Sequence, residues 1–399
     1  MIDGIPKNTG NSYLVKGAAL PDSYAAFKAA IEAGTLPIDL NFNSPGWQVP
    51  GTLLSKANLL SDATAQAFGL TGNATVNDAL SLCGSKLSNT MLYVPLRNMS
   101  FKSTTMPNIN CSGIAYGLNK FVAVGSLCSN YSTDGITWNS GTGGIGSAVT
   151  YGNGKFVATA NSFKYSTDGI TWNTTSDGIP TGEDWKSIAY GNGKYVAISS
   201  RNKIIYSTDG ITWNEATHPV VNEGFKSIAW GNNKFVIVCG GFDAYSSKSL
   251  YSSDGITWNT TSISSGQWNA VTYGDSGFVA IEILGENHSA VSVDGIHWNT
   301  YSIGSSYSVK WQSLAYGNGK YVAVSIDQST SAAYSYDGKK WNIISLPTAQ
   351  NWATIAYGIN KFVTGGNSTN AAYSEEGAIT NLILTDVKGN VLGKVAVTQ

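Results

Sequence analysis

Six aspartates that each precede a glycine are the residues whose type and spacing most directly suggest chemistry. They are Asp134, Asp168, Asp209, Asp254, Asp294 and Asp337. A ring of carboxylates could hold a divalent cation, because hard metal ions prefer carboxylate oxygens. An aspartate before a glycine also forms turns, since its carboxylate accepts backbone N–H groups while the glycine adopts a positive φ. We expect turns, because one carboxylate per repeat leaves the six too far apart to share an ion.

The other ionisable residues show no spacing typical of a catalytic or metal site. His218, His288 and His297 form neither an H-x-x-x-H nor an H-E-x-x-H pattern. The remaining acidic residues of interest fall in or near variable segments: Glu183, Asp184, Glu215, Glu223, Asp243, Glu282, Glu286 and Asp327. Hydrolysis of glycosides needs paired carboxylates at a defined separation, and no such pairing is visible. We therefore predict no catalytic residue, no metal ligand, no cofactor and no enzymatic activity.

Aromatic side chains recur at a fixed distance before a Tyr-Gly or Trp-Gly pair. They are Trp185, Phe225, Trp268, Trp311 and Trp352, and Cys111 and Gly146 occupy the same position in two further repeats. One interpretation is a packing anchor that repeats with the fold. The other is an aromatic rim on which sugar rings stack while neighbouring Asn, Ser and Thr side chains bind the hydroxyls. We take the five aromatic residues as the candidate ligand-binding residues.

A repeated unit of about 40 residues must position these side chains. The phrase Tyr-Gly-x-x-Lys-(Phe/Tyr)-Val recurs, with variations, from Tyr116, Tyr151, Tyr190, Trp230, Tyr273, Tyr316 and Tyr357. The phrase Ser-x-Asp-Gly-x-x-Trp follows in six units and ends at Trp138, Trp172, Trp213, Trp258, Trp298 and Trp341. The last unit retains only Tyr373 to Gly377 and lacks the tryptophan.

Each unit is typical of four short antiparallel strands. In the third unit, residues 187–190 alternate apolar and polar, Asn192-Gly193 forms a tight turn, and residues 194–198 and 204–207 continue the pattern. Four strands repeated in this way indicate a propeller blade. The sequence therefore predicts a mainly β protein with a seven-bladed β-propeller, whose motif tryptophans are buried between neighbouring blades.

The last blade needs a fourth strand from elsewhere in the chain. Phe101, upstream of the first unit, stands where the motif tryptophans stand before each Tyr-Gly pair. We expect a strand near residues 99–105 to complete the seventh blade and cover two exposed edges. The predicted organisation is an attachment and oligomerisation region at 1–95, the propeller at 96–380, and a C-terminal β-hairpin at 381–399.

The segment Tyr206-Ser-Thr-Asp-Gly-Ile-Thr-Trp213 resembles the Asp-box repeats of sialidase-like propellers, although the family's spacer between Asp and Gly is missing. The whole unit is similar to propeller repeats of bacterial and phage proteins, over about residues 99–380. The resemblance implies the fold. Sialidases of this class grip the substrate carboxylate with three arginines. The arginines of this chain are Arg97 and Arg201 alone, so sialidase activity is excluded.

The regions that flank the repeats have a different sequence pattern. Residues 22–34, 61–68 and 75–82 predict short helices, and 37–50 an extended stretch. Residues 59–80 resemble segments of bacteriophage tail-fibre and appendage proteins, which typically precede a receptor-binding or decorating module. Residues 382–397 predict a hairpin that turns at 388–390, with edges open to another subunit.

Composition and charge narrow the function classes. A net charge of −1 with 12% charged residues gives no electrostatic footprint for nucleic acid. No apolar run reaches the ~20 residues of a membrane helix, so we expect no membrane insertion. The first ten residues lack a signal-peptide pattern, and we expect release by cell lysis. Cys83, Cys111, Cys128 and Cys239 are too few for a disulfide scaffold.

The tail-fibre resemblance implies a virion protein that forms homo-oligomers, as a trimer in a fibre. We expect other virion proteins to bind the N-terminal region. We expect a host cell-surface glycan or receptor to bind the variable-loop face, which carries the loops between second and third strands and between blades. The longest of these loops is Cys239–Leu250. The alternatives are a decoration protein without a ligand and a polysaccharide-degrading enzyme that uses loop carboxylates.

Overall fold

The structure is a computed structural model of the 399-residue chain. It describes residues 14–15, 40–41, 90–93, 99–219, 223–240, 245–284, 287–304, 309–376, 381–386 and 391–396. The helices expected at 22–34, 61–68 and 75–82 lie outside the described residues, as does most of the stretch 37–50. Two compact units divide the chain: residues 1–98 together with 376–399, and residues 99–375. No helix among the described residues is long and apolar enough to cross a membrane.

The larger unit is a seven-bladed β-propeller, as the sequence predicts. Seven four-stranded sheets follow one another along the chain, and strands adjacent in sequence pair antiparallel within each sheet. The first strand of each blade lies beside the first strand of the next, and that of the last blade lies beside that of the first. The first strands therefore surround the central channel, and the fourth strands form the outer wall.

The strands occupy equivalent places in the seven blades. The first strands are Cys111–Gly117, Ala148–Gly152, Trp185–Gly191, Gly224–Gly231, Trp268–Gly274, Trp311–Gly317 and Trp352–Gly358. The second strands are Lys120–Gly125, Lys155–Thr159, Lys194–Ser199, Lys234–Gly240, Gly277–Glu282, Lys320–Ser325 and Lys361–Gly366.

The outer half of each blade is equally regular. The third strands are Ser129–Ser132, Phe163–Ser166, Ile204–Ser207, Ser246–Ser252, His288–Ser292, Ser329–Ser335 and Asn370–Glu376. The fourth strands are Asn139–Ser140, Asn173–Thr175, Asn214–Glu215, Asn259–Gly266, Asn299–Ser302, Trp341–Gln350 and, in the last blade, Met99–Thr105.

The hydrophobic pattern of the second strands follows from their place inside the ring. Val196, Ala197 and Ile198 are all fully buried, although successive side chains point to opposite faces of the sheet. Both faces of a blade pack on neighbouring blades, so the strand is continuously apolar rather than alternating. The connecting turn has φ of 46° at Asn192 and 72° at Gly193, the left-handed conformation expected of this Asn-Gly pair.

At every blade interface, a glycine contacts an aromatic ring of the next blade. A Cβ at Gly191 would lie 2.1 Å from the Trp230 ring of the next blade, so only glycine allows this approach. The same contact recurs seven times around the ring. The pairs are Gly117–Tyr151, Gly152–Tyr190, Gly191–Trp230, Gly231–Tyr273, Gly274–Tyr316, Gly317–Tyr357 and Gly358–Tyr116. The last pair joins the seventh blade to the first.

The closing strand joins the two ends of the propeller. Met99–Thr105 lies beside Asn370–Glu376 in the last sheet. The Lys102 ammonium lies 2.9 Å from the Glu375 carboxylate, and Met106 N donates to Thr369 O at 2.8 Å, so the two strands run antiparallel. Phe101 is buried in the cluster that contains Trp352. Because of this direction, the chain enters the propeller at Met99 and leaves it at Glu376 on the same face, the short-turn face opposite the variable loops.

The Asp-Gly pairs form turns. In the third blade, Asp209 Oδ1 accepts Ile211 N at 2.8 Å and Thr212 N at 2.9 Å. Gly210 has a φ of 74°, and a Cβ there would lie 2.7 Å from a Val157 methyl of the preceding blade. Burial alone would raise the pKa of Asp209, but the two backbone donors outweigh it and the pKa is lowered. These carboxylates are therefore engaged by their own turns.

Three of the motif tryptophans, Trp138, Trp213 and Trp258, are buried as expected, whereas Trp172, Trp298 and Trp341 are half-buried. Trp213 packs with Val157 and Phe163 of the preceding blade, so it fills the space between two blades.

A disulfide adds a cross-link that the cysteine count did not predict. Cys111 and Cys128 are bonded, with their Cα atoms 5.2 Å apart, and they join the first strand of the first blade to the residue that precedes its third strand. Cys111 stands at the position that carries an aromatic anchor in five other blades. The cross-link therefore replaces the anchor. Cys239 is a buried free thiol whose pKa is raised, mainly by burial.

The described residues of the smaller unit form two sheets. Leu14–Val15 pairs with Leu40–Asn41. Asn381–Asp386 pairs antiparallel with Val391–Ala396, which is the predicted C-terminal hairpin. Thr90–Tyr93 pairs with the other side of Asn381–Asp386, so this strand has no edge open to another subunit.

Candidate functional site

The five candidate aromatic residues lie inside the blade cores. Phe225, Trp311 and Trp352 are fully buried, and Trp268 and Trp185 are 1% and 3% exposed. A ring on which a sugar stacks needs an exposed face, and none of these has one. The burial corresponds to the packing-anchor interpretation.

The contacts of the anchors explain their recurrence. The Trp268 indole donates to Ser264 O at 2.8 Å and the Trp352 indole to Thr348 O at 3.2 Å. Trp185 packs edge-on against Phe163, with ring centroids 5.3 Å apart. Each anchor thus fixes the start of its first strand to the fourth strand or blade that precedes it.

The residue after each anchor is less buried than the anchor, because the strand bulges there. In six blades the pairing register shifts between the anchor position and the second residue after it. A bulge leaves one residue unpaired and redirects its side chain. The bulged residues are Ser112, Lys186, Lys226, Asn269, Gln312 and Ala353, and Ser147 takes the equivalent place in the second blade. We call these seven residues the channel-mouth ring.

Neighbouring members of the channel-mouth ring contact one another. Ser112 Oγ donates to Ser147 O at 2.8 Å. Asn269 Nδ2 donates to Gln312 O at 2.9 Å and lies 3.3 Å from Gln312 Oε1. Since the first strands surround the channel and begin at the variable-loop face, these contacts follow the channel mouth on that face.

The lysines form the charged side of the ring. Lys186 Nζ lies 2.6 Å from Asp184 Oδ2, and Ser200 Oγ donates to the same oxygen at 3.0 Å. Burial opposes ionisation of Asp184, but the hydrogen bonds from Lys186 and Ser200 outweigh it and lower its pKa. Lys226 is half-buried, and its pKa is lowered by burial and then by the positive charge of Lys186.

Lys226 has no partner of its own among the described residues, either in an ion pair or in a hydrogen bond. The nearby carboxylates are engaged by serines instead. Ser199 Oγ donates to Glu183 at 2.6 Å, and Ser246 Oγ donates to Glu223. Arg201, in the loop that follows Ser200, is exposed and acts on Asp184 through its charge.

A buried carboxylate lies at the variable-loop end of the fifth blade. Glu282 is 2% exposed and accepts the backbone N–H of His288 at 3.1 Å, with His288 Nδ1 at 3.4 Å. Glycine at position 266 makes room for it, because a Cβ there would lie 2.1 Å from Glu282 Oε1. Within the described residues, no group of three or more potential metal ligands surrounds the Glu282–His288 pair.

The sequence contained a signal for the channel-mouth ring. The flanking positions repeat from blade to blade, whereas the position after the anchor carries Ser, Ser, Lys, Lys, Asn, Gln and Ala in turn. Free variation at one position of an otherwise regular repeat indicates a residue that the fold does not need. The bulge that exposes it has no such signature.

Comparison with known proteins establishes the fold. No protein-family model and no curated protein sequence matches the chain. Virginiamycin B lyase from Staphylococcus aureus has a TM-score of 0.60 and 11% identity, over 69% of this chain and 99% of the lyase. A streptogramin B lyase has a TM-score of 0.60 and 11% identity, over 70% and 98% of the chains. YCF48 bound to D1 peptide has a TM-score of 0.55 and 14% identity, over 70% and 95%. These likenesses show the fold alone.

Proposed function

We propose that the propeller is a non-enzymatic recognition module that binds a host cell-surface glycan or receptor through its variable-loop face. The channel-mouth ring is the observation that carries this proposal. It brings together seven side chains that the repeat leaves free to vary, and six of them can form hydrogen bonds. Amide, hydroxyl and ammonium groups around one opening suit the hydroxyl groups of a saccharide.

The path of the chain supports this choice of face. The chain enters the propeller at Met99 and leaves it at Glu376, both at the short-turn face, so neither end of the propeller lies at the variable-loop face. Loops on a rigid scaffold commonly carry recognition. The short-turn face, by contrast, uses its side chains internally: Lys120 Nζ donates to Asp168 O at 2.8 Å and Lys155 Nζ to Asp209 O at 3.0 Å.

We place the module on a virion because residues 59–80 resemble segments of phage tail-fibre and appendage proteins. In that setting the N-terminal region would bind other virion proteins, and a homo-oligomer, a trimer in a fibre, would present several propellers. Weak contacts of single propellers then combine, because linked sites raise the effective concentration of the second binding event.

The experiment compares binding of the full chain and two variants to host-surface polysaccharide fractions by calorimetry. Asn269→Ala with Gln312→Ala removes two ring amides, and Asn214→Ala removes an exposed amide of an outer strand as the matched control. We expect the double variant to bind about thirtyfold more weakly, because two lost hydrogen bonds of about 1 kcal/mol each sum to about 2 kcal/mol. The control should bind like the unmodified protein.

Three results would contradict the proposal. Equal binding by the double variant would move recognition away from the ring. Binding to virus particles but to no cell fraction would favour a decoration protein. Release of reducing ends from the polysaccharide would favour an enzyme, for which the Glu282–His288 pair is the first position to mutate.

A further inference from the structure

The channel-mouth ring is electrostatically asymmetric. Its two cations, Lys186 and Lys226, belong to neighbouring blades, and burial and then the positive charge of Lys186 lower the pKa of Lys226. The remaining members are serine, asparagine, glutamine and alanine. One sector of the mouth is therefore basic, and the rest is neutral and polar.

The basic sector is built so that one cation remains available. Asp184 holds Lys186 at 2.6 Å and is itself fixed by Ser200. That ion pair leaves Lys226 without a counter-ion, although a half-buried ammonium without a partner is unfavourable. The Lys226 side chain packs close to the backbone of the adjoining strand, since a Cβ at Gly240 would lie 3.0 Å from its Cε. Its position is thus restricted before any ligand binds.

The partners of the charged groups in this sector indicate the ligand group. The three nearby carboxylates already have partners: Asp184 binds Lys186 and Ser200, Glu183 accepts from Ser199, and Glu223 accepts from Ser246. Of the two ring lysines, Lys226 is therefore the one without a partner among the described residues, and a single carboxylate of the ligand supplies it. The neighbouring neutral sector offers amide and hydroxyl groups to the rest of the same molecule.

We propose that the Lys186–Lys226 sector is a subsite for the carboxylate of an acidic sugar, with Lys226 as the ion-pair donor and the Asn269–Gln312 sector binding uncharged hydroxyls. This inference rests on the proposed glycan recognition and specifies its ligand class. Binding requires no covalent step: the sugar carboxylate takes the place of water at the Lys226 ammonium.

The test uses the full chain and a panel of galacturonate, glucuronate and mannuronate oligosaccharides, each paired with its methyl ester. The ester keeps the sugar and removes the charge. We expect each acidic form that binds to do so about tenfold more tightly than its ester at low salt, because charge-assisted hydrogen bonds are stronger than neutral ones. Lys226→Gln should abolish this difference, so that the acid and its ester bind this variant equally. Lys340→Gln, at an exposed turn on the opposite face, is the matched control and should preserve it.

The outcomes separate this inference from the proposed function. Equal binding of acid and ester, with loss of both in Asn269→Ala plus Gln312→Ala, would overturn the acidic subsite and support glycan recognition. A charge preference that survives Lys226→Gln would also overturn the subsite. Absence of binding by every acidic and neutral saccharide, with the fold intact, would overturn both.

Discussion

In six of the seven blades, two adjacent residues differ in burial because the strand bulges after the first of them. Trp311 is fully buried, whereas Gln312 is half-exposed at the channel mouth and accepts hydrogen bonds from Asn269. In a regular strand, alternation would send these two side chains to opposite faces of the blade. The bulge instead turns the second one towards the channel, so a buried packing residue and a partly exposed polar residue occupy neighbouring positions.

We predict that Trp311→Ala lowers the free energy of unfolding by about 3–5 kcal/mol, because it empties a large buried site. Trp311→Phe should cost less, since most of the volume is kept. Gln312→Ala should change stability by less than about 0.5 kcal/mol. Urea unfolding followed by tryptophan fluorescence measures all three. If the Trp311→Ala protein kept its stability but lost ligand binding, the Trp311 indole itself would be a ligand contact.

The sequence could identify the anchor column but not the direction of its side chains. The recurrence of Trp and Phe before Tyr-Gly identified the position, and the burial of these side chains favours the packing alternative. The bulge depends on pairing between two strands, which one strand's residues do not encode. The disulfide was missed for a similar reason, since Cys111 and Cys128 meet only after the first and third strands pair.

At the scale of elements, each blade is held by contacts that repeat and by a few that do not. The Asp-Gly turns and the contacts between a glycine and an aromatic ring of the next blade recur around the propeller. The first blade, by contrast, has a disulfide in place of the aromatic anchor. Asn130 Nδ2 lies 3.1 Å from Cys128 Sγ and donates to Asn108 O at 3.2 Å. The cross-link is thereby connected to the segment between the closing strand and the first blade.

Reduction of the disulfide should lower the stability of the propeller by about 3 kcal/mol, as a loop of this length loses its constraint on the unfolded chain. Cys111→Ala with Cys128→Ala should reproduce the effect and be insensitive to reductant. Cys239→Ala serves as the control and should remain sensitive. The measurement is the melting temperature with and without dithiothreitol. An identical melting temperature in both conditions would contradict a structural disulfide.

The closing strand gives a second prediction at this scale. Phe101→Ala should destabilise the propeller by about 3–5 kcal/mol, because Phe101 packs in the core that contains Trp352. Lys102→Ala should cost less than about 1 kcal/mol, because the side chains of its ion pair with Glu375 are 59% and 44% exposed. Hydrogen exchange should then accelerate together in Met99–Thr105 and Asn370–Glu376. Faster exchange in only one of the two strands would show that they do not open as a pair.

At the scale of the whole molecule, the sequence repeat allowed the fold to be predicted. Seven occurrences of one pattern specify blade number, strand count and turn positions more firmly than any single strand could. The missing tryptophan of the last unit and the unassigned Phe101 together indicate which segment joins the ring. The sequence could not show the channel-mouth ring as a site, because its members are far apart in the chain and only the closed circle brings them together.

Acid sensitivity is a property of the whole ring of turns. The pKa values of Asp134 and Asp168 fall from 3.8 to about 2, because backbone and side-chain hydrogen bonds outweigh burial, and those of Asp209, Asp254 and Asp294 are also lowered. A lowered folded-state pKa contributes stability above the unfolded value and loses it as the pH falls through the folded value.

We therefore expect the urea midpoint to be constant above about pH 5 and to fall between about pH 4 and pH 2. Solvent screens these partly exposed carboxylates, so each contributes modestly and the decline is gradual. A variant with Asp134→Asn and Asp168→Asn should decline less steeply, since asparagine accepts the same hydrogen bonds without titrating. An equally steep decline in that variant would assign acid sensitivity to other groups.

The position of the closing strand makes the propeller's mechanical strength depend on direction. Met99 begins this strand at the short-turn face, and the channel-mouth ring lies at the opposite face. A force applied between Met99 and the channel-mouth ring acts along the strand. All of the strand's hydrogen bonds to Asn370–Glu376 then resist the sliding of the two strands at the same time. Traction that separates Met99 from Glu376 meets the same pair at its end and breaks the bonds one by one. We therefore expect the propeller to resist a force between Met99 and the channel-mouth ring better than a force that separates Met99 from Glu376.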